Sequence, residues 1–182
     1  MNYTRSKTTY HLVMNSQSNF KPKFIKYSDL NILKLTIPIP EFNWFMYQQI
    51  GSNYRWGGRQ EWRKEEWREH ATGSNIQTWG AYIAGSPIGY YEIELTTDSI
   101  SRIHCIGLIE SFIGKGLGGH LLSHAVDQSW KTGAKKVMLN TCSHDHPHAL
   151  SNYLNRGFSL QDKSKSPANP KWKSNLSDFT YS

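Results

Sequence analysis

The chain has 182 residues, enough for one domain of ordinary size and too few for two full ones. Apolar residues make up 37% and aromatics 13%, a load of core-forming rings that argues against disorder, and no run approaches the length of a membrane-spanning helix. Lys and Arg outnumber Asp and Glu 21 to 14, and this net +7 is scattered; that is ordinary for a solvated surface, suits a phosphate-rich ligand, and does not by itself point to nucleic acid.

Cys105 and Cys142 are too few for a disulfide framework. Residues 1–16 hold neither an uninterrupted apolar core nor a small-residue cleavage site, so they do not read as a secretory signal, and a cytoplasmic protein is expected. Thr8 to Asn15 reads as a short strand. Asn31 to Ile39 reads as another, ended by Pro38 and Pro40, which lack the amide a ladder needs. Pro40 to Ile50 predicts a helix with Pro at its start and Gly51 just past its end. A loop, Gly51 to Arg59, carries Tyr54 and Trp56. The charged stretch Glu61 to His70 predicts a helix anchored by Trp62 and Trp67.

Three strands follow: Gln77 to Ala84, Ile88 to Leu95 and Ser101 to Ile109. The turns between them, Gly85-Ser86 and Thr96 to Ser99, are too short for a crossover, so they form an antiparallel meander. After a Gly-rich loop, Leu117, Leu121, Leu122, Ala125, Val126 and Trp130 fall at helical spacing and predict a helix from Leu117 to Lys131, closed by Gly133. Lys135 to Thr141 is a strand, Pro147 to Arg156 a short helix, and Gly157-Phe158 opens a last strand. Strand, Gly-rich loop, helix and strand make a βαβ unit whose two strands run parallel. The densest basic run, Lys163, Lys165, Lys171 and Lys173, lies in a Ser/Pro-rich tail.

The Gly-rich loop is Ile113-Gly114-Lys115-Gly116-Leu117-Gly118-Gly119. Glycines at a helix start let the backbone approach a ligand, and the free N–H groups there attract phosphate. A nucleotide P-loop needs Ser or Thr after Gly-Lys, where Gly116 stands. The dinucleotide fingerprint is matched literally by Gly114, Gly116 and Gly119. However, no acid stands between Asp127 and Asp145 to hold a ribose, and the loop follows a meander rather than opening the domain. The remaining readings are the pyrophosphate loop of acetyl-CoA enzymes and a turn that serves packing only.

On these residues the chain resembles the GNAT superfamily of N-acetyltransferases. The family pattern is Arg or Gln, two residues, Gly, one residue, Gly or Ala. Gly116 and Gly118 fill its glycine positions, while Ile113 departs from Arg or Gln. A second motif is matched by Ala149, Tyr153, Gly157 and Phe158, and the turn Ser86-Pro87-Ile88-Gly89 resembles the family's hairpin. The segment NTCSHDHPHALSNYLNRGF is similar to a subgroup of small bacterial members with His-Thr-Cys-x-x-Asp-His-Pro. The resemblance implies an α/β (α+β) fold with a mixed central sheet, an antiparallel meander, a splayed parallel strand pair and helices on both faces. It implies one domain over 1–182: a variable acceptor-side part at 1–75, an acetyl-CoA-binding core at 76–160, and a tail or strand at 161–182.

The resemblance also implies chemistry. The acetyl-CoA thioester would lie between splayed strands near Leu108 and Thr141, with Leu108, Ile109, Ile113, Gly114, Lys115, Gly116, Leu117, Gly118, Gly119, Thr141, Ala149 and Asn152 holding the co-substrate. The Leu108 amide would polarise the carbonyl. Tyr153 would protonate the leaving thiolate, a phenol having a pKa of about 10 against about 8.5 for a thiol. The acceptor is an amine of unidentified kind. Many members carry a basic glutamate where this chain has Arg102, which cannot act as a base. Parity across the turn at 96–99 pairs Glu94 with Arg102, Glu92 with His104 and Tyr90 with Ile106, so Glu92, then His104, is the expected base, with Glu94 neutralised by Arg102.

Cys142, His144, Asp145, His146 and His148 form a cluster that Pro147 splits, with no second ligand group, so no metal is expected. Asp145 is expected to cap the helix at Pro147 or to touch substrate, and His146 or His148 to carry a proton at the site's mouth. Trp56 and Arg59 are expected to shape the acceptor side, Trp56 by holding a cation on its ring and Arg59 by pairing with a substrate carboxylate. Members often dimerise, so a homodimer is open, with Trp172, Phe179 and Tyr181 of the tail available to pack. Competing readings are a non-catalytic acyl-CoA binder, a dinucleotide-binding oxidoreductase and a nucleic-acid binder.

Overall fold

The computed structural model describes residues 6–167. Its centre is a seven-stranded sheet: β1 (Ser6–Met14), β2 (Leu30–Lys34), β3 (Ile76–Ile83), β4 (Ser86–Leu95), β5 (Ile100–Leu108), β6 (Lys136–Cys142) and β7 (Ser159–Pro167). The spatial order is β2-β3-β4-β5-β6-β1-β7. Only β5 and β6 pair in parallel; the other neighbours are antiparallel. Four helices complete the described chain: α1 (Pro40–Gly51), α2 (Lys64–Ala71), α3 (Leu117–Lys131) and α4 (Ala149–Asn155).

Adjacent strand residues point to opposite faces, and Tyr90 and Tyr91 show how the layers divide. Tyr91 joins the larger core with Leu12, Ile93, Leu121, Ala125, Val137 and Phe158, beneath α3 and α4. Tyr90 joins a second cluster with Met46, Tyr47, Ile50 and Trp67, beneath α1 and α2. Helices therefore cover both faces. α1 starts on Pro40, as a ring with fixed φ favours, and α2 starts where the Glu66 carboxylate accepts the Arg63 N–H at 2.6 Å. α3 keeps its expected bounds. Its cap, Gly116, has φ 77°, a left-handed conformation that glycine adopts without strain.

Four sequence expectations are corrected. β2 stops at Lys34, before the Pro38/Pro40 pair. α2 begins at Lys64, and α4 at Ala149 rather than Pro147. The meander register also changes along its length. Glu94 faces Arg102 and Glu92 faces His104, but Tyr90 faces Gly107, not Ile106. The extra residue on β5 is a bulge at Cys105, whose φ is 47°. β1 slots antiparallel between β6 and β7, with Leu12 opposite Leu139. The tail residues Lys171, Trp172, Lys173, Phe179 and Tyr181 lie outside the described residues. Among the described residues, no helix is long and apolar enough to cross a membrane.

Candidate active site

The parallel β5–β6 ladder runs from Ile100↔Lys136 to Ile103↔Leu139 and ends there, while β5 continues to Leu108 and β6 to Cys142. The strands part just past this point, next to the Cys105 bulge. A cavity of about 800 Å³ occupies the wedge. It runs from the Gly loop on the α3/α4 side to the α1/α2 side, and Leu108, Gly116, Thr141, Tyr153, His104 and Trp56 all line it.

Backbone groups are turned into this wedge by strand alternation. The Ile109 N–H donates to the Ile88 carbonyl on β4 at 2.8 Å, so the preceding N–H, that of Leu108, faces the gap where β6 no longer pairs. At the Gly loop, Gly114 and Gly116 have φ of 82° and 77°, and a Cβ on either would project into open space. Gly119, in the first turn of α3, is closed in by the Lys23 stem, Arg156 Nη1 and the Asn152 side chain. Arg156 Nε and Nη1 are buried without a hydrogen-bond partner among the described residues. Two unsatisfied guanidinium donors beside a helix N-terminus fit a phosphate group, so the residues present suit a pyrophosphate-bearing ligand.

The co-substrate residues expected from the sequence divide in two. Leu108, Ile113, Gly114, Gly116, Gly118, Gly119, Thr141, Ala149 and Asn152 line the cavity. Ile109 packs with the α1/α2 cluster, Leu117 is buried in the main core, and the Lys115 ammonium lies 4.9 Å over the Phe112 ring; these three are not in the cavity wall. Tyr153 lines the wedge and packs edge-on against Phe158. Burial first, then the Asp145 and Cys142 charges, push its phenol above the ordinary value, so it stays protonated.

Glu92 is the largest departure. It is 0% exposed and does not line the cavity. Its carboxylate accepts from Asn43 Nδ2 at 2.7 Å, Arg59 Nη1 at 2.7 Å and His70 Nε2 at 2.8 Å. Burial opposes the charge, but the His70 hydrogen bond and the Arg59 guanidinium outweigh it and hold the carboxyl down at about 2. Such a group has almost no affinity for a proton near neutral pH and cannot reach a substrate amine. Arg59 is likewise not free for a substrate carboxylate: it is 8% exposed, paired with Glu92, and lies 4.7 Å over the Trp62 ring.

His104 stands differently. It lines the cavity, and its Nε2 is 3.0 Å from Glu94 Oε2. A carboxylate only accepts, so Nε2 donates and Nδ1 is left with the lone pair. Burial draws the imidazole below its ordinary value against the opposing pull of Glu94, which keeps the ring neutral at pH 7. Glu94 thus serves His104, and its expected neutralisation by Arg102 does not occur.

Asp145 neither caps α4 nor stands free for substrate. Its Oδ2 accepts from Thr141 Oγ1 at 2.6 Å and from the Cys142 N–H at 2.8 Å, and its Oδ1 accepts from Trp56 Nε1 at 3.2 Å. Trp56 therefore straps the α1 side to the end of β6 across the cavity. His146 lines the mouth edge-on to Tyr54. Among the described residues, no group of three or more His, Cys, Asp or Glu is placed to hold a metal ion. Sequence reasoning missed Lys7, Lys23, Asn140, Cys105 and Arg156, all of which line the cavity.

The Acetyltransferase (GNAT) family model matches residues 40–158, more than half of the chain, and the chain belongs to that family. A mycothiol acetyltransferase from Corynebacterium aurimucosum is 30% identical over 87 residues, which cover 46% of this chain and 28% of that protein. The chain thus matches little more than a quarter of that relative's length. Among solved structures, a GCN5-related N-acetyltransferase from Kribbella flavida aligns over 94% of this chain and 60% of its own, with 14% identity and TM-score 0.63. The ribosomal-protein-S18-alanine N-acetyltransferase from Escherichia coli aligns over 70% and 76%, with 16% identity and TM-score 0.55. These structural likenesses concern the fold.

Proposed function

We propose that the protein is an acetyl-CoA-dependent N-acetyltransferase that moves an acetyl group to an amine by direct attack. The observation that carries this reading is the wedge between β5 and β6, with a phosphate-suited Gly loop at one end and a neutral, carboxylate-held histidine on the opposite face. The thioester supplies an activated carbonyl. Gly114 to Gly119 and the free donors of Arg156 take the pyrophosphate. The Leu108 N–H, unpaired by β6, stabilises negative charge as it develops on the carbonyl oxygen.

His104 Nδ1 accepts the proton the amine loses as its nitrogen bonds to the acyl carbon, and Glu94 fixes the tautomer through Nε2. The C–S bond breaks, and the Tyr153 hydroxyl donates a hydrogen bond to the departing sulfur. With its phenol held above the ordinary range, Tyr153 stabilises the thiolate and does not give up its proton ahead of bond cleavage. Glu92 has a positioning role: it holds Arg59, Asn43 and His70, and so fixes α1 and α2 over the acceptor side.

The test is release of CoA thiol from acetyl-CoA on addition of primary amines. Tyr153→Phe is expected to lower kcat about tenfold to a hundredfold with the Kd for acetyl-CoA unchanged. Equal kcat in that variant would remove Tyr153 from the reaction.

A further inference from the structure

Trp56 is held from several sides at once. Its backbone N–H donates to the Gly51 carbonyl at 3.1 Å, and its side chain folds back on Gly51, where a Cβ would stand 2.7 Å from Trp56 Cβ and 2.8 Å from Cε3. The ring packs against the α1/α2 cluster, which holds the buried Tyr47 and Ile50, with the Tyr47 centroid 5.5 Å away. The indole Nε1 donates to Asp145 Oδ1 at 3.2 Å, and Asp145 is itself fixed at the end of β6 by the Thr141 hydroxyl and the Cys142 N–H. An indole seated in this way has no room to retreat.

The far edge of the ring reaches the splayed strands. Gly107 turns toward α1: a Cβ there would meet Ile50 Cγ2 at 2.5 Å and Trp56 Cη2 at 3.6 Å. Leu108, the next residue, turns to the α3 side, where a Cβ at Gly118 would lie 3.9 Å from Leu108 Cδ1. The peptide unit joining Gly107 to Leu108 carries the Leu108 N–H, so that donor lies between the two sides. An acyl carbonyl seated on it has the Gly loop on one side, from which the thioester sulfur arrives, and the benzo edge of Trp56 on the other. The indole thus spans the wedge from Gly107 on β5 to Asp145 beyond β6, across the line along which an acyl chain would extend.

We infer that Trp56 sets the acyl length that this protein accepts: its pinned indole admits an acetyl group and excludes acyl groups longer by two carbons. This rests on the transferase reading above, which seats the carbonyl on the Leu108 N–H. A longer chain must either displace the ring or leave that N–H. Displacing the ring breaks the Nε1–Asp145 hydrogen bond and presses on Tyr47 and Ile50. Trp56 therefore selects by steric rejection rather than by a bond to the reacting atoms.

The test is calorimetric titration of the full-length protein with CoA, acetyl-CoA and butyryl-CoA, which needs no acceptor amine. The native protein is expected to bind butyryl-CoA at least about tenfold more weakly than acetyl-CoA. Trp56→Ala should reverse the order. Each methylene buried in the vacated space adds about fourfold in affinity, or about fifteenfold for the two that separate butyryl from acetyl, with the Kd for free CoA unchanged. Trp56→Leu keeps an apolar side chain against Tyr47 and Ile50 and is expected to lose the native penalty without reversing it. Three results overturn the assignment: butyryl-CoA bound by the native protein as tightly as acetyl-CoA, a penalty that survives in whichever variant keeps CoA binding, or loss of CoA binding in both variants, which would make Trp56 a strut of the fold. A native protein that binds neither CoA nor acetyl-CoA overturns the transferase reading instead.

Discussion

Replacing Glu92 by Gln keeps its volume and removes its charge. In the native protein that charge is fully buried and met by Asn43, Arg59 and His70 at 2.7–2.8 Å. The variant leaves the Arg59 guanidinium buried without a counter-charge, and breaking a buried pair from one side costs about 3–5 kcal/mol. An independent route gives a similar size: the carboxyl falls from an ordinary 4.5 to about 2 on folding. At 1.36 kcal/mol per unit this is about 3 kcal/mol. The sign follows from the depressed folded value. The contribution is complete above pH 4.5 and is lost as pH falls toward 2. Urea denaturation should therefore show Glu92→Gln less stable by about 3–5 kcal/mol at pH 7, with the gap narrowing by about 2 kcal/mol between pH 7 and pH 3. A variant of native stability that had lost turnover, together with the low-pH limb of the wild-type pH–rate profile, would refute this reasoning and make Glu92 the base after all.

Three further outcomes follow from the same geometry. His104→Gln should lower kcat/KM by about 10²–10⁴. Wild-type kcat/KM should fall with decreasing pH through an inflection below 6.5, because the burial-lowered imidazole must be neutral to accept a proton; the variant should lack that limb. Gly107→Ala should destabilise by about 1–3 kcal/mol in a thermal melt, because its Cβ would stand 2.5 Å from Ile50 Cγ2 where α1 approaches β5. Burial and the Glu92 charge push the Cys105 thiol up to about 12. At pH 8 its thiolate fraction is then about 10⁻⁴, so iodoacetamide should label it only after unfolding, which peptide mass mapping reads directly.

The parts of this molecule that repeat were legible in its sequence. α3 declared itself by apolar spacing over fifteen residues, and the meander by two short turns, which also fixed Glu92 opposite His104. The register failed at Cys105 because a bulge at a non-glycine residue leaves no local mark. The place of β1 beside β6 was hidden for a different reason. Lys7 reaches the cavity only through pairing with residues some 130 positions away in sequence, and no pattern within β1 names its partner. The true state of Glu92 did have a signal. A charge on a strand as apolar as Ile88 to Leu95, at a position flanked by Tyr91 and Ile93, must find partners inside the protein, and Arg59 and His70 supply them. Arg156 had none, since a basic residue before Gly-Phe looks like any solvated helix end.

The most direct test of the account is calorimetric titration with acetyl-CoA, with NADH alongside, of the native protein and of Gly116→Glu. The account predicts micromolar binding of acetyl-CoA, none of NADH, and loss of acetyl-CoA binding in the variant. There a carboxylate at a left-handed position would project into the open cradle of the Gly loop. NADH bound in place of acetyl-CoA, or acetyl-CoA bound equally by the variant, would contradict it.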